Sequence, residues 1–135
     1  MNNIYNKLIT ETNIALSENE VPVGCVIVKE GNILSSSHNQ RIKLNDPLAH
    51  AEIIAIKKAA KKIKSWNLVG CEMYVTLKPC KMCQEIINES RIKKVFYIVD
   101  SSKEINQNTE YIELLKIDDH YGFKTKIVNF FKEKR

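Results

Sequence analysis

Four side chains in this sequence have the types and spacing to hold a metal ion and work with it. Cys80 and Cys83 lie three positions apart at the start of a helical stretch. That spacing brings both sulfurs to one face, within reach of a single ion. The partial positive charge of a helix N-terminus favours the thiolate that a metal needs. Thirty residues upstream of Cys80, His50-Ala51-Glu52 opens another helix. A Cys-x-x-Cys pair by itself fits either a redox dithiol or half of a four-ligand structural zinc site. Here no second Cys-x-x-Cys and no His pair accompanies it, and the remaining histidines are His38 and His120. One His with two Cys leaves the fourth tetrahedral position to water, whose pKa zinc brings to about 7. Glu52 then has a task as proton shuttle. Residues two apart on a regular helix differ by about 200° in azimuth, so His50 and Glu52 cannot share a helix face. The site must wrap around the helix start.

The elements that position these residues follow from periodicity and turn chemistry. Residues 2–19 place Ile4, Leu8, Ala15 and Leu16 at helical spacing. Val23–Lys29 and Ile33–Ser37 flank Glu30-Gly31-Asn32 and read as a hairpin. Asn45-Asp46-Pro47 is a helix-start signal, followed by Ile53, Ile56, Ala59, Ala60 and Ile63 on one face and Lys57, Lys58, Lys61 and Lys62 towards water. Met73–Leu77 reads as a short buried strand, the stretch from Cys80 through Ile87 as a helix, and Val95–Val99 as another strand. Beyond the polar stretch Ser101–Thr109, Glu110–Ile117 is read as a helix, Phe123–Val128 as a last strand and Asn129–Arg135 as a short basic end. The alternation predicts an α/β fold, a three-layer α/β/α domain with a mixed, about five-stranded sheet. One such domain is expected over residues 1–135.

Composition narrows the class. No apolar run approaches the roughly 18 residues of a membrane span, and the N-terminus lacks the basic start and apolar stretch of a secretion signal, so a cytoplasmic protein is expected. In that compartment thiols stay reduced, and Cys25 and Cys71 read as small buried hydrophobes. The net charge of +5 favours a polyanionic partner. The chain is also rich in Lys, Ile and Asn and poor in Arg, as an AT-rich coding sequence would make it, so charge adds little.

The pattern His-x-Glu with a downstream Pro-Cys-x-x-Cys is the signature of zinc deaminases that act on nucleobases. The chain resembles the bacterial tRNA adenosine deaminases, of the cytidine-deaminase-like fold. The resemblance runs from Glu20 to Val99 through Glu20-Val21-Pro22-Val23-Gly24, His38-Asn39, Asn45 to Glu52, Trp66 to Cys71, Tyr74 to Leu77, Pro79 to Cys83 and Arg91-Ile92. It implies that His50, Cys80 and Cys83 hold one zinc ion per chain and that Glu52 shuttles protons. Asn39 would bind the target nucleotide and Val21 would line its base pocket. The implied reaction is hydrolytic deamination of the wobble adenosine of a tRNA anticodon loop to inosine, by a homodimer. Single-stranded loops with splayed bases are the usual targets of RNA recognition. Phe130 to Arg135 resembles the aromatic, basic end with which family members grip RNA.

Two departures qualify the resemblance. Lys78 stands where the family commonly has Glu, and after Val99 the match weakens, with a shortened closing helix. The alternatives are a free-base or nucleoside deaminase of guanine or cytosine type on the same fold, a catalytically silent zinc-containing RNA-binding subunit, and a thiol redox protein.

Overall fold

Glu30 and Gly31 set the geometry of the first hairpin. Both have positive φ, 51° and 79°, the backbone of a two-residue turn whose twist matches that of the flanking strands. Gly adopts this conformation without strain, and the strands resume at once with Lys29 paired to Asn32. The computed structural model describes residues 2–101, 108–114 and 122–133. Its elements are α1 (Asn2–Ser17), β1 (Gly24–Lys29), β2 (Asn32–His38), α2 (Ala51–Ile63), β3 (Cys71–Leu77), α3 (Lys81–Glu89), β4 (Lys94–Val99), β5 (Glu110–Glu113) and α4 (Phe123–Glu133).

The strands form one sheet in the order β2-β1-β3-β4-β5. β1 runs antiparallel to both β2 and β3, whereas the β3–β4 and β4–β5 pairs are parallel. Strand alternation divides the core into two layers. Cys25, Ile27, Met73, Val75 and Val95 pack with Ala51, Ala55, Ala59 and Ile87 of α2 and α3. Val26, Val28, Tyr74 and Ile98 pack with Ile4, Leu8, Phe123 and Ile127 of α1 and α4. The expected three-layer mixed sheet is therefore present. Cys25 and Cys71, 0% and 2% exposed, fill the first layer as small hydrophobes. Lys57, Lys58, Lys61 and Lys62 are exposed. Among the described residues, no helix is long and apolar enough to cross a membrane.

Helix α1 lies close against the sheet at Gly24. A Cβ there would meet the Leu8 carbonyl oxygen at 3.0 Å and Glu11 Cβ at 3.1 Å, so the layer spacing itself requires glycine. Thr12 is buried on this side, while Leu16, expected inward, is 37% exposed.

Three expectations are corrected. The helix expected to open at Pro47 begins at Ala51. Asp46 accepts a hydrogen bond from the Leu48 N–H instead, closing a turn four residues short of the helix. Glu110–Glu113 is the edge strand β5 rather than the start of a helix, and residues 115–117 of that expectation lie outside the described residues. Phe123–Val128 is helical, within α4. Its β-branched Thr125, Ile127 and Val128 favour a strand locally. Extended to Phe130, the buried positions 123, 127 and 130 follow steps of four and three and mark one helical face. Of the expected basic end, residues 129–133 continue α4, and 134–135 lie outside the described residues.

Candidate active site

The corner that could hold a metal ion is made of two helix starts. His50 has extended backbone (φ −74°, ψ 151°) and is the N-cap of α2. It stands outside the helix, so the azimuth conflict with Glu52 does not arise: His50 turns back while Glu52 occupies the first turn. The structure fixes this start from β2. The Asn39 Oδ1 accepts the Ala51 N–H at 2.7 Å, taking up one of the N–H groups that open a helix without an internal partner. The hydroxyls of Ser37 and Ser35 donate to the Ala51 and Ala55 carbonyls, which seats α2 on the strand.

Cys80 is likewise an N-cap, with φ −69° and ψ 170°, and Cys83 sits in the first turn of α3. The Gln84 side chain donates to the Pro79 carbonyl at 2.9 Å and holds the turn before the helix. The Lys78 N–H donates to the Val99 carbonyl at 2.9 Å, and Ser101 Oγ donates to the Lys78 carbonyl at 3.2 Å. The cysteine loop is thereby tied to the end of β4. The Lys78 ammonium lies 3.7 Å from Asp100 Oδ1 and 5.4 Å from the centroid of the Tyr97 ring, with its side chain only 13% exposed.

His50 Nδ1 is 3.5 Å from Cys83 Sγ and 3.8 Å from Cys80 Sγ. Ligand atoms of all three residues lie within 4.8 Å of one another. Zinc bonds of about 2.3 Å to sulfur and about 2.05 Å to nitrogen, at tetrahedral angles, would separate N from S by about 3.6 Å. The observed distances bracket that value, so the donor set fits zinc in both chemistry and size.

The electrostatics are those of a site that stabilises thiolate. Cys80 is lowered to about 3, first by a hydrogen bond from the Cys83 thiol and next by His50. Cys83, as the donor in that bond and buried besides, is pushed up. His50 is raised, chiefly by Cys80, against burial and the charge of Arg41. Glu52 is 4% exposed, and burial pushes its carboxyl up to about 7.

A cavity of about 190 Å³ opens onto this corner, lined by Val21, Val23, Asn39, Arg41, His50, Glu52, Leu77, Lys78, Cys80 and Ser101. The structure thus brings Val21 and Asn39 together with His50, Glu52 and Cys80, while Cys83 is fully buried behind them. Sequence reasoning missed Val23, Arg41, Leu77 and Ser101 as lining residues. For Arg41, its place two residues after Asn39 was the only available sign. Two larger depressions lie apart from the ligands. One, of about 690 Å³, adjoins the site at Val21, Asn39 and Arg41. The other, of about 770 Å³, is an apolar groove along α2 that contains none of the metal-binding residues.

Comparison with known proteins follows the same residues. Positions 2–99 match the family described as the cytidine and deoxycytidylate deaminase zinc-binding region. A tRNA-specific adenosine deaminase of Aquifex aeolicus (strain VF5) is 49% identical over 89 residues, covering 66% of this chain and 59% of that protein. The chain therefore spans less than two thirds of the length of that relative. One from Rickettsia bellii (strain RML369-C) is 46% identical over 107 residues, covering 76% of this chain and 74% of its own length. Among solved structures, one from studies of A-to-I editing by tRNA:A34 deaminases superposes with a TM-score of 0.76 at 28% identity, covering 84% of this chain and 98% of the other. A guanine deaminase from Bacillus subtilis gives 0.68 at 25% identity, covering 93% and 92%.

Proposed function

This chain belongs to the cytidine and deoxycytidylate deaminase zinc-binding family, and we propose that it deaminates adenosine to inosine at the wobble position of a tRNA anticodon loop. The observation that carries this reading is the junction of two helix starts, where His50 Nδ1 and two cysteine sulfurs meet beside the buried Glu52 carboxyl. The similarity to tRNA-specific adenosine deaminases supplies the substrate.

In this reading His50, Cys80 and Cys83 hold one zinc ion, which when bound activates a water as nucleophile near neutral pH. Glu52 does the proton work. Its carboxylate takes a proton at an oxygen from the water that adds to C6 and delivers it to the purine ring nitrogen. It then moves the remaining proton of that water, now on the C6 hydroxyl, to the exocyclic nitrogen as the C6–N bond breaks and ammonia leaves. Burial excludes bulk water from that carboxyl, so protons stay between Glu52 and the base. Asn39 Oδ1 is committed to the Ala51 N–H, which leaves its NH₂ group to donate to a ligand in the cavity. Val21 and Val23 give the base an apolar wall. At about 190 Å³ the cavity suits one nucleobase turned out of its stack.

The rival reading is a free-base deaminase, favoured by the fold and 25% identity shared with a guanine deaminase. Incubation of the zinc-loaded protein with an anticodon stem-loop, and separately with guanine, cytosine and adenosine, separates the two. Inosine formed only in the RNA supports the first reading, and turnover only of the small molecules overturns it. Glu52→Gln is expected to lower the rate by about 10²- to 10⁴-fold while one zinc per chain and stem-loop binding are retained. That result would also dispose of a silent RNA-binding subunit.

We read the protein further as a cytoplasmic homodimer. Leu44, Leu48 and Trp66, 53%, 51% and 64% exposed, line the apolar groove along α2, and a second copy of the chain is the proposed cover. Leu48→Glu should shift the sedimentation coefficient to that of a monomer; an unchanged dimer would remove this face as the interface.

A further inference from the structure

The trough of about 690 Å³ shares three lining residues, Val21, Asn39 and Arg41, with the base cavity. The two are therefore neighbouring compartments with a common wall, and Arg41 is the cation on that wall. Besides the acidic residues Glu20 and Asp46, the trough lining includes Asn19, Asn45 and Phe130, residue types that can meet a sugar, a base edge and a base face. Two nucleotides in adjacent compartments of this kind are joined by one phosphodiester, which must cross where the compartments meet.

The backbone around Arg41 is held with unusual firmness for an exposed loop. Glu20, 2% exposed, accepts the Ile42 N–H through both oxygens, at 3.2 and 3.1 Å, and the Lys43 N–H at 2.9 Å. Its own N–H is tied to the Ala15 carbonyl at the end of α1. The loop is closed on itself by Asp46 N–H to the Arg41 carbonyl at 3.0 Å, and anchored to the α2 approach by Gln40 N–H to the Ala49 carbonyl at 2.9 Å. None of the ion pairs among the described residues involves Glu20 or Arg41. A buried carboxylate spent wholly on backbone N–H groups fixes the loop, and Arg41, carried on that loop, lines both compartments.

We infer that the trough is the subsite for a nucleotide adjoining the target base, that Arg41 binds the phosphate between them, and that Glu20 is a positioning residue acting through the 42–43 backbone. A guanidinium suits that contact because its planar fork pairs with two phosphate oxygens at once. The inference rests on the polynucleotide substrate proposed above.

The test uses the full zinc-loaded chain and an anticodon stem-loop, unmodified or with one uncharged methylphosphonate on the 5′ or 3′ side of the target adenosine. Wild type should lose about ten-fold in kcat/KM at one of the two positions. Arg41→Ala should lose about the same on unmodified RNA and nothing further on that modified RNA, and its log KM against log salt should flatten by about 0.7. Glu20→Gln should raise KM more than it lowers kcat, with zinc content unchanged, and should add less than about two-fold in the Arg41→Ala background. Arg41→Lys should recover part of the loss. If Arg41→Ala still suffers the full methylphosphonate penalty, or if neither modification affects wild type, the subsite assignment is wrong and the deaminase reading stands. If wild type forms no inosine in unmodified RNA, both fall.

Discussion

His38 ends β2 and His50 precedes α2, so the two histidines bracket the same loop, yet their neighbours differ in kind. His50 Nδ1 faces two sulfurs at 3.5 and 3.8 Å. His38 lies between two carboxylates, with Nδ1 at 2.6 Å from Glu11 Oε1 and Nε2 at 3.2 Å from Glu18 Oε1. Both rings are largely shielded, and both have a pKa raised by what they touch. The difference lies in what the neighbours can share. Two sulfurs and a nitrogen converge on a point that an ion can occupy. Two carboxylates on opposite edges of one ring use up both nitrogens and leave nothing to coordinate. His38 is a rivet between α1 and β2, and His50 is one third of a cluster that could hold a metal ion.

Substitution separates these roles most sharply at His50. His50→Ala should reduce bound zinc from one per chain to a small fraction, measured by elemental analysis, and lower inosine formation on the order of 10³-fold or more. Retained zinc with full activity would erase the distinction between the two histidines. His38→Gln should leave zinc content alone and lower unfolding stability by about 1 kcal/mol, read from chemical denaturation.

The pH dependence of that loss sharpens the comparison further. His38 is raised from 6.5, first by its hydrogen bond to Glu11, so its share of stability is complete below about pH 6.5 and is lost as pH rises through the raised value. Glu11 is lowered from 4.5 by His38, against the cost of burial. Its share is present above about pH 4.5 and is lost as pH falls through the lowered value. Two lysines face the same carboxylates: Lys43 pairs with Glu18 at 3.0 Å, and the charge of Lys58 is felt at Glu11. The gap between wild type and His38→Gln should therefore be widest between about pH 4.5 and 6.5 and narrow as pH rises through the raised value of His38. A gap that is flat or grows with pH would mean that the ring acts by packing alone.

The metal corner was legible in the sequence because its rules are local. Cys80 and Cys83 need only a helix start between them, and His50 and Glu52 need only short separation. The apparent azimuth conflict between His50 and Glu52 came from placing the helix start at Pro47, where Asp46 caps a turn instead. Arg41 and Glu20 stayed hidden because their roles depend on contacts across 22 or 23 residues of chain between Glu20 and the loop backbone. Past Val99, Glu110–Glu113 is a strand only because β4 offers it a parallel edge, and no pattern within four residues announces that. Phe123–Val128 misled by the opposite route, its β-branched Thr125, Ile127 and Val128 favouring a strand locally while the burial of Phe123, Ile127 and Phe130 follows a helical period.

Lys78 stands just before the cysteine loop, and its backbone bonds to Val99 and Ser101 give that position a further meaning. For anyone recombining this protein with another member of its family, those two bonds mark the seam. A graft that begins after Ser101 exchanges the downstream segment while both ties to the cysteine loop remain. A graft that begins before Val99 replaces the partners on one side of that seam and makes the new segment responsible for the alignment of the metal ligands.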